Sequence, residues 1–514
     1  MMRKLLAPVL MASTMLSSAN SSAETYYFSF SEGNDSNDGL SEASPFKTSG
    51  KLFDIMNDMT AGDIALLKRG DVWEPSTREN ISGPCGGCTL DAYGTGDDPH
   101  LYSGENHGVF MYLDNSDGWT LKNFEITCYR GSAEYTWAMF FYLGTEDVYV
   151  DNVTYNNCTH GVHIAGEKFD FDDANNVDRI TIKNSTFNYI SIVGILGGGG
   201  NDYTIHNNVF NYNGWNGYSY HAIYWYYWNR GRITDNKFYH SNNGGEAKAI
   251  TSISKASTAV VTVPSHGYTT GDYVYIESSR DMWELNDRRY QITVLDANTF
   301  ELDGVNSTSF NTFVTGNAKK DSGACNSSII VGHGIGREIY FGNNHIYEEP
   351  DKAVVACWGL AWDAGYPPSY GEEEFTDMTV ENNRLYNLGN VYFGMTNSQS
   401  IEYNFNTLYH DNSNSHFQGF HDHTNPADAG LISNDVLLQY NNITVVDDSG
   451  AAIATSAGME FPNTNDVVAK GNHTLFGDSS GIACTVSKAG ELTQINNICL
   501  EGSSLTPSTL NTVE

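Results

Sequence analysis

Three histidines and an aspartate fall within eight residues, in the run HFQGFHDH that carries His416, His421, Asp422 and His423. His421 and His423 alternate, so on a β-strand they face one way and offer two imidazoles to a metal or to a proton in transit. A second constellation lies earlier. Glu246 and Lys248 follow Gly244-Gly245 and share one side of a strand, while VGHGIGRE brings His333 and Arg337. A base beside a cation suits β-elimination of a uronate. One group takes the proton α to the carboxylate, and the other neutralises that carboxylate and makes the proton more acidic. Lys248, Arg337, His333 and His421 are therefore the catalytic candidates.

The densest aromatic block of the chain lies between two copies of one short pattern, TIHNNVF and RITDNKF. It supplies His221, Tyr224, Trp225, Trp228 and Arg230, and a later excursion supplies Trp358, Trp362 and Asp363. Flat rings that stack on pyranose faces would make these, with His416 and His423, a sugar-binding surface. In AIYWYYW alternate residues point to opposite faces, so about half of the rings belong to the core. Glu246, Asp363 and Asp422 are the oxygen ligands expected if Ca²⁺ takes part. The run Glu372-Glu373-Glu374 reads as a solvated face.

The elements that must position these residues are strands. Segments such as WTLKNFEI (119–126), VYVDNVTY (148–155), ITIKNSTF (180–187), YTIHNNVF (203–210), MTVENNRL (378–385) and VVAKGNHTL (467–475) alternate apolar and polar residues around one or two Asn. Alternation of period two means strands, and Asn tolerates the left-handed conformation of a sharp corner. The segments recur at the length of one solenoid coil. Asn152, Asn184, Asn207, Asn236, Asn344 and Asn383 are thus corner residues rather than catalytic ones. Gly50 to Met59 is the single amphipathic helix expected beyond residue 23.

Composition narrows the partners. The chain has 514 residues and a formal charge of −35, from 62 Asp+Glu against 27 Lys+Arg, which repels nucleic acid and anionic membranes. Aromatics reach 13%, which fits both β structure and sugar-binding surfaces. Arg3-Lys4, the apolar run Leu5 to Leu16 and Ser21-Ser22-Ala23 read as a bacterial secretory signal over 1–23, and no later run is long enough to span a membrane. Of eight Cys, Cys85 with Cys88 and Cys128 with Cys158 stand where disulfides would close a local loop and join neighbouring coils. A secreted monomer acting on polysaccharide is expected.

The opening TYYFSFSEGNDSNDGLSEASPFKT, with GDIALLKRGDVWEP and YGTGDDPHLYSG after it, resembles the first coils of secreted right-handed parallel β-helix proteins. That resemblance implies an all-β solenoid over 24–252 and 320–514. The interruption, 253–319, carries VTVPSHGYTTGDYV and ANTFELDG, and resembles a small β-barrel module of phage tail proteins and ubiquitin-activating enzymes. It implies an accessory fold in which His266 is a turn residue. Glu246 and Lys248, followed one coil later by Gly332-His333-Gly334, loosely resemble β-helix polysaccharide lyases. They imply a lyase on an acidic polysaccharide, with Ca²⁺ among its possible cofactors. Two rivals remain: a glycoside hydrolase using Asp363, Asp422 and Glu246, and a glycan-binding adhesin or tail-type protein.

Overall fold

The computed structural model describes residues 22–501 except 74–78, 104–108, 129–135, 168–169, 214–220, 240–242, 281, 286–288, 325–327, 348–357, 364–374, 387, 389–390, 411–417, 423–432, 446–456, 462–463, 477–486 and 489–491. The expected signal over 1–23 lies almost wholly outside these residues, and His416, His423 and Glu372–Glu374 lie wholly outside them.

The architecture is a parallel β-helix: one 37-stranded sheet system in which each strand pairs in parallel with its equivalent in the next coil. A coil is read from His221 onward. The strand His221–Asn229 lies in a first sheet, Arg232–Thr234 in a second and Lys237–Tyr239 in a third. These pair in turn with Ser328–Arg337, Tyr340–Gly342 and His345–Tyr347. The solenoid therefore continues across the interruption, with one register shift in the first sheet between Tyr226 and Trp228. The helix Ser49–Asp58, N-capped by the Thr48 side chain, buries Leu52, Phe53 and Met56 against the first coils.

The corner between the second and third sheets shows why paired Asn recur. The first residue of each pair takes the left-handed conformation: Asn207 at φ 53°, Asn343 at 56° and Asn382 at 56°. The second is buried and bonds to its counterpart one coil on. Asn208, Asn236, Asn344, Asn383, Asn406, Asn441, Asn472 and Asn497 form a continuous ladder in which each carboxamide oxygen accepts from the backbone N–H and side-chain NH₂ of the preceding one. The other side-chain proton satisfies an interior carbonyl, as Asn383 does for Phe341. The expected corner residues thus have two roles. Asn152, Asn184 and Asn207 are exposed turn residues, whereas Asn236, Asn344 and Asn383 are buried ladder members. Where the left-handed position is not Asn it is Asp235, Phe405, Tyr440 or Gly471.

The corner between the first and second sheets carries a charge ladder. Arg179 reaches back to Asp147, and Arg230 clamps Asp202 with two bonds of 2.7 and 2.8 Å. Cys128 is bonded to Cys158 in the adjacent coil, and Cys85 to Cys88 within one turn.

The interruption forms a separate seven-stranded sheet with its own apolar core, built around Val261, Val274, Ile276, Ile292 and Phe300. Its first and last strands in chain order, Asn243–Ala249 and Thr315–Ala324, pair antiparallel as a stalk. The module therefore begins at Asn243, just after the coil strand that ends at Tyr239. Its other face meets the β-helix through polar contacts. The Tyr275 ring is edge-on to Tyr189, and the Arg289 guanidinium, paired with Asp321, lies over Tyr212.

Candidate functional site

The first sheet carries an outward row of rings and imidazoles. Tyr112, Phe140, His163, Leu196 and Tyr224 occupy equivalent positions on five successive strands. The Tyr112 ring stacks on Phe140 at 5.1 Å, and Phe140 meets His163 edge-on at 4.3 Å. Trp137 stacks on His160 at 5.1 Å, at the edge of the same face. Further along, Tyr224 lies 5.4 Å from His221 and 5.0 Å from His333 between ring centroids. Tyr226 is in register with His333, and His333 with Asp363.

Ionisation in this cluster follows burial. His221 is enclosed and donates from Nδ1 to the Ser328 carbonyl oxygen. Burial, with a smaller contribution from His333, pulls its pKa down to about 4, so it is neutral near pH 7 with its proton on Nδ1. Burial also pushes the Tyr226 hydroxyl up to about 12, with help from Tyr224, so it stays protonated. The described side chains of this face from Trp137–Tyr142 to Gln418–Asp422 include five histidines (His160, His163, His221, His333 and His421), while the backbones of Asp363 and Asp422 lie on the same strands and Asp114 stands in register with Tyr142.

Several expected site residues stand elsewhere. Trp225, Trp228 and Trp362 are interior side chains, at 1%, 0% and 1% exposure, so none of them can stack on a sugar. The Trp225 indole fills the space left by Gly332, where a Cβ would come within 2.4 Å of it, and Trp228 donates to the Gly197 carbonyl. Arg230 belongs to the charge ladder at the corner, held by Asp202. Lys248 is part of the module. Its Nζ donates to the His266 carbonyl at 2.5 Å and lies 5.5 Å from the Tyr268 ring centroid. The expected adjacency of Lys248 and Arg337 is thus corrected, because the coil leaves the helix at Tyr239, before Lys248 is reached. Arg337 is exposed at the end of the His333 strand, over the Phe171 ring.

His421 is on the same outward row as Tyr224 but three strands beyond His333, roughly 15 Å at about 4.8 Å per strand. Trp358 is half-buried at the start of its strand, in register with Ser328. Asp363 and Asp422 are placed by their backbones alone, two strands apart, and Glu246 is exposed on the module's stalk. The three carboxylates proposed for Ca²⁺ are therefore spread over two sheets. Among the described residues no group of three or more His, Cys, Asp or Glu is gathered as for a metal. The N-terminal part of the aromatic row was missed in the sequence. TWAMFFY and HGVHIA alternate like AIYWYYW, and that was the available signal.

The chain resembles known proteins in pieces. Residues 256–319 match the ubiquitin-activating enzyme E1 FCCH domain. A stretch of 84 residues is 37% identical to a lacto-N-biosidase of Bifidobacterium longum, covering 15% of this chain and 5% of that protein. The chain thus spans about a twentieth of the length of that relative. Among solved structures, a GH136 lacto-N-biosidase from Eubacterium ramulus aligns over 92% of this chain and 68% of its own, at 12% identity and a TM-score of 0.37. A rhamnogalacturonan lyase aligns over 92% and 87%, at 10% identity and a TM-score of 0.34. No described helix is long and apolar enough to cross a membrane.

Proposed function

We propose that the protein is a secreted enzyme that degrades an acidic, uronate-containing polysaccharide by β-elimination on the outward face of the first sheet. The observation that carries this reading is the pairing of His333 with Tyr224, 5.0 Å apart between ring centroids, on a face that also carries a row of aromatic rings. An anionic sugar chain would lie along this face, with the exposed Arg337 at its edge. The aromatic row from Tyr112 to Tyr224 gives that chain ring faces to lie against.

The reaction needs a base, an acid and a positive group. His333 is the proposed base for the proton α to the carboxylate. As the double bond forms, the bond to the leaving oxygen breaks, and that oxygen takes a proton from the Tyr224 hydroxyl across the 5.0 Å pair. Tyr226 stays protonated and offers a second donor beside them. Arg337, on the same strand as His333, is the proposed partner of the substrate carboxylate. Trp358 and His421 extend the binding surface along the axis. No step is assigned to a metal, because the three proposed ligands do not converge; repeating the assay with chelator reads out any Ca²⁺ requirement.

A hydrolase is the second reading, favoured by one observation. The backbone of Asp363 stands in register with the outward-facing His333, which brings an acidic residue to the same row. The match to a lacto-N-biosidase supports it. Incubation with a panel of uronate polysaccharides separates the readings. New ultraviolet absorbance from unsaturated ends, lost in His333→Ala, is the expected result. Reducing ends without absorbance, lost in Asp363→Asn, would establish the hydrolase. Binding with neither product would leave a glycan-binding protein.

A further inference from the structure

The third sheet carries a feature that the groove does not use. Lys237, His345 and Arg384 occupy equivalent outward positions on three successive coils, and Tyr239, Tyr347, Tyr386 and Tyr409 occupy the next outward position on four. The two cations Lys237 and Arg384 are therefore two strand spacings apart, roughly 9.6 Å. Burial and both cations lower the pKa of His345 between them, so it is neutral near pH 7. Lys237 and Arg384 are exposed, and among the described residues neither forms an ion pair. The row is bounded by Val209 before Lys237 and Thr407 after Arg384. At the corner between the first and second sheets, by contrast, Arg179 is matched by Asp147 and Arg230 by Asp202.

The rings beside the row are half-buried and face outward. Tyr239 and Tyr347 lie 6.4 Å apart and Tyr386 and Tyr409 5.9 Å, with the His345 imidazole edge-on to Tyr386 at 5.3 Å. The result is a straight strip along the helix axis, with one ring per coil from Tyr239 to Tyr409 and with cations at Lys237 and Arg384 on either side of His345. At the N-terminal end stands the inserted module, whose Arg289 packs on Tyr212 in the preceding coil.

We propose that this strip is a second, non-catalytic binding face for an anionic polysaccharide strand laid along the helix axis. Its carboxylates would pair with Lys237 and Arg384 while its sugar rings lie on the tyrosines. A cation on every second coil, roughly 9.6 Å apart, matches about two sugar lengths, so carboxylates on alternate sugars of a linear polymer would meet Lys237 and Arg384. The choice of polysaccharide over nucleic acid follows from the overall charge of −35, which works against a denser polyanion. The substrate class rests on the reading given above, but the site lies on a different sheet from His333.

The test is retention in native gels containing polygalacturonate or alginate, with turnover of short uronate oligosaccharides measured in parallel. Lys237→Gln/Arg384→Gln should be retained roughly three- to tenfold more weakly than the unaltered protein. Turnover of the short oligosaccharides should not change. Lys237→Arg/Arg384→Lys should restore retention, which a purely structural defect would not. Unchanged retention in the Gln variant, or no retention of the unaltered protein by either polymer, overturns the proposal. Stronger retention by DNA than by either polysaccharide overturns it as well. His333→Ala should lose turnover and keep retention, so a failure of the groove reading is distinguishable from a failure of this one.

Discussion

The imidazole of His221 donates to the main-chain oxygen of Ser328, the residue at which the chain rejoins the solenoid after the inserted module. A carbonyl only accepts, so the bond fixes the proton on Nδ1 and leaves Nε2 as the basic nitrogen. One enclosed side chain therefore ties the two halves of the first sheet together and has a fixed tautomer beside Tyr224.

Burial of this ring makes stability depend on pH. The pKa of His221 falls from 6.5 in the unfolded chain to about 4 in the folded one. Between those values the unfolded chain binds the extra proton, so stability is full above pH 6.5 and declines as pH falls toward 4. The contribution is on the order of 3 kcal/mol across that window. His221→Gln, which keeps a donor for Ser328, should flatten part of the decline in melting temperature between pH 6.5 and 4. A profile unchanged by the substitution would show that His221 is not the responsible group.

Trp225 and Trp358 should separate cleanly. Trp225→Ala removes an interior indole and is expected to cost about 3–5 kcal/mol in chemical denaturation. Trp358→Ala should leave the denaturation midpoint within about 1 kcal/mol and weaken binding of long substrates. Equal stability losses in the two variants would contradict the placement.

The Asn ladder predicts a contrast between adjacent residues. Asn383→Ala takes away the acceptor for Asn344 and the donor to Phe341, leaving buried polar groups unmatched at about 2–4 kcal/mol. Asn207→Gly at the exposed left-handed position should stay within about 1 kcal/mol. Thermal unfolding of the two variants side by side is the measurement.

Lys248→Ala should retain full activity. The amine serves the His266 carbonyl inside the module, and losing an interaction of this kind costs about 1 kcal/mol at most. A large fall in turnover with folding intact would return Lys248 to the reaction.

The strands and their corners were legible because a period of two and a recurring Asn depend only on local sequence. So was the Cys128–Cys158 bridge, since both residues follow equivalent strands. Where the coil stops was not legible. NNGGEAK continues the alternation of RITDNKFYH, and only pairing with Thr315–Ala324 assigns it to the stalk. The facing of AIYWYYW was half legible. Alternation separates Tyr224 and Tyr226 from Trp225, but Tyr227 takes a left-handed turn at φ 53° and shifts the parity, so that Trp228 also enters the core. The row Trp137, Phe140, His160 and His163 was overlooked because its residues are neighbours only across coils, through registers that no single segment contains.

The strand pairing that resumes beyond the module has a consequence for synthesis. The strands ending at Tyr239 find their next partner only when Ser328 and the residues after it emerge, about 90 residues later. At roughly 5–20 residues per second that is a wait of about 5 to 20 s with the growing edge of the solenoid unpaired. During it the antiparallel module, with its own core, can close its stalk between Asn243–Ala249 and Thr315–Ala324 and deliver Ser328 next to His221. The ribosome thus releases a nascent solenoid in two instalments, and the module acts as the clasp that holds the place of the missing coil.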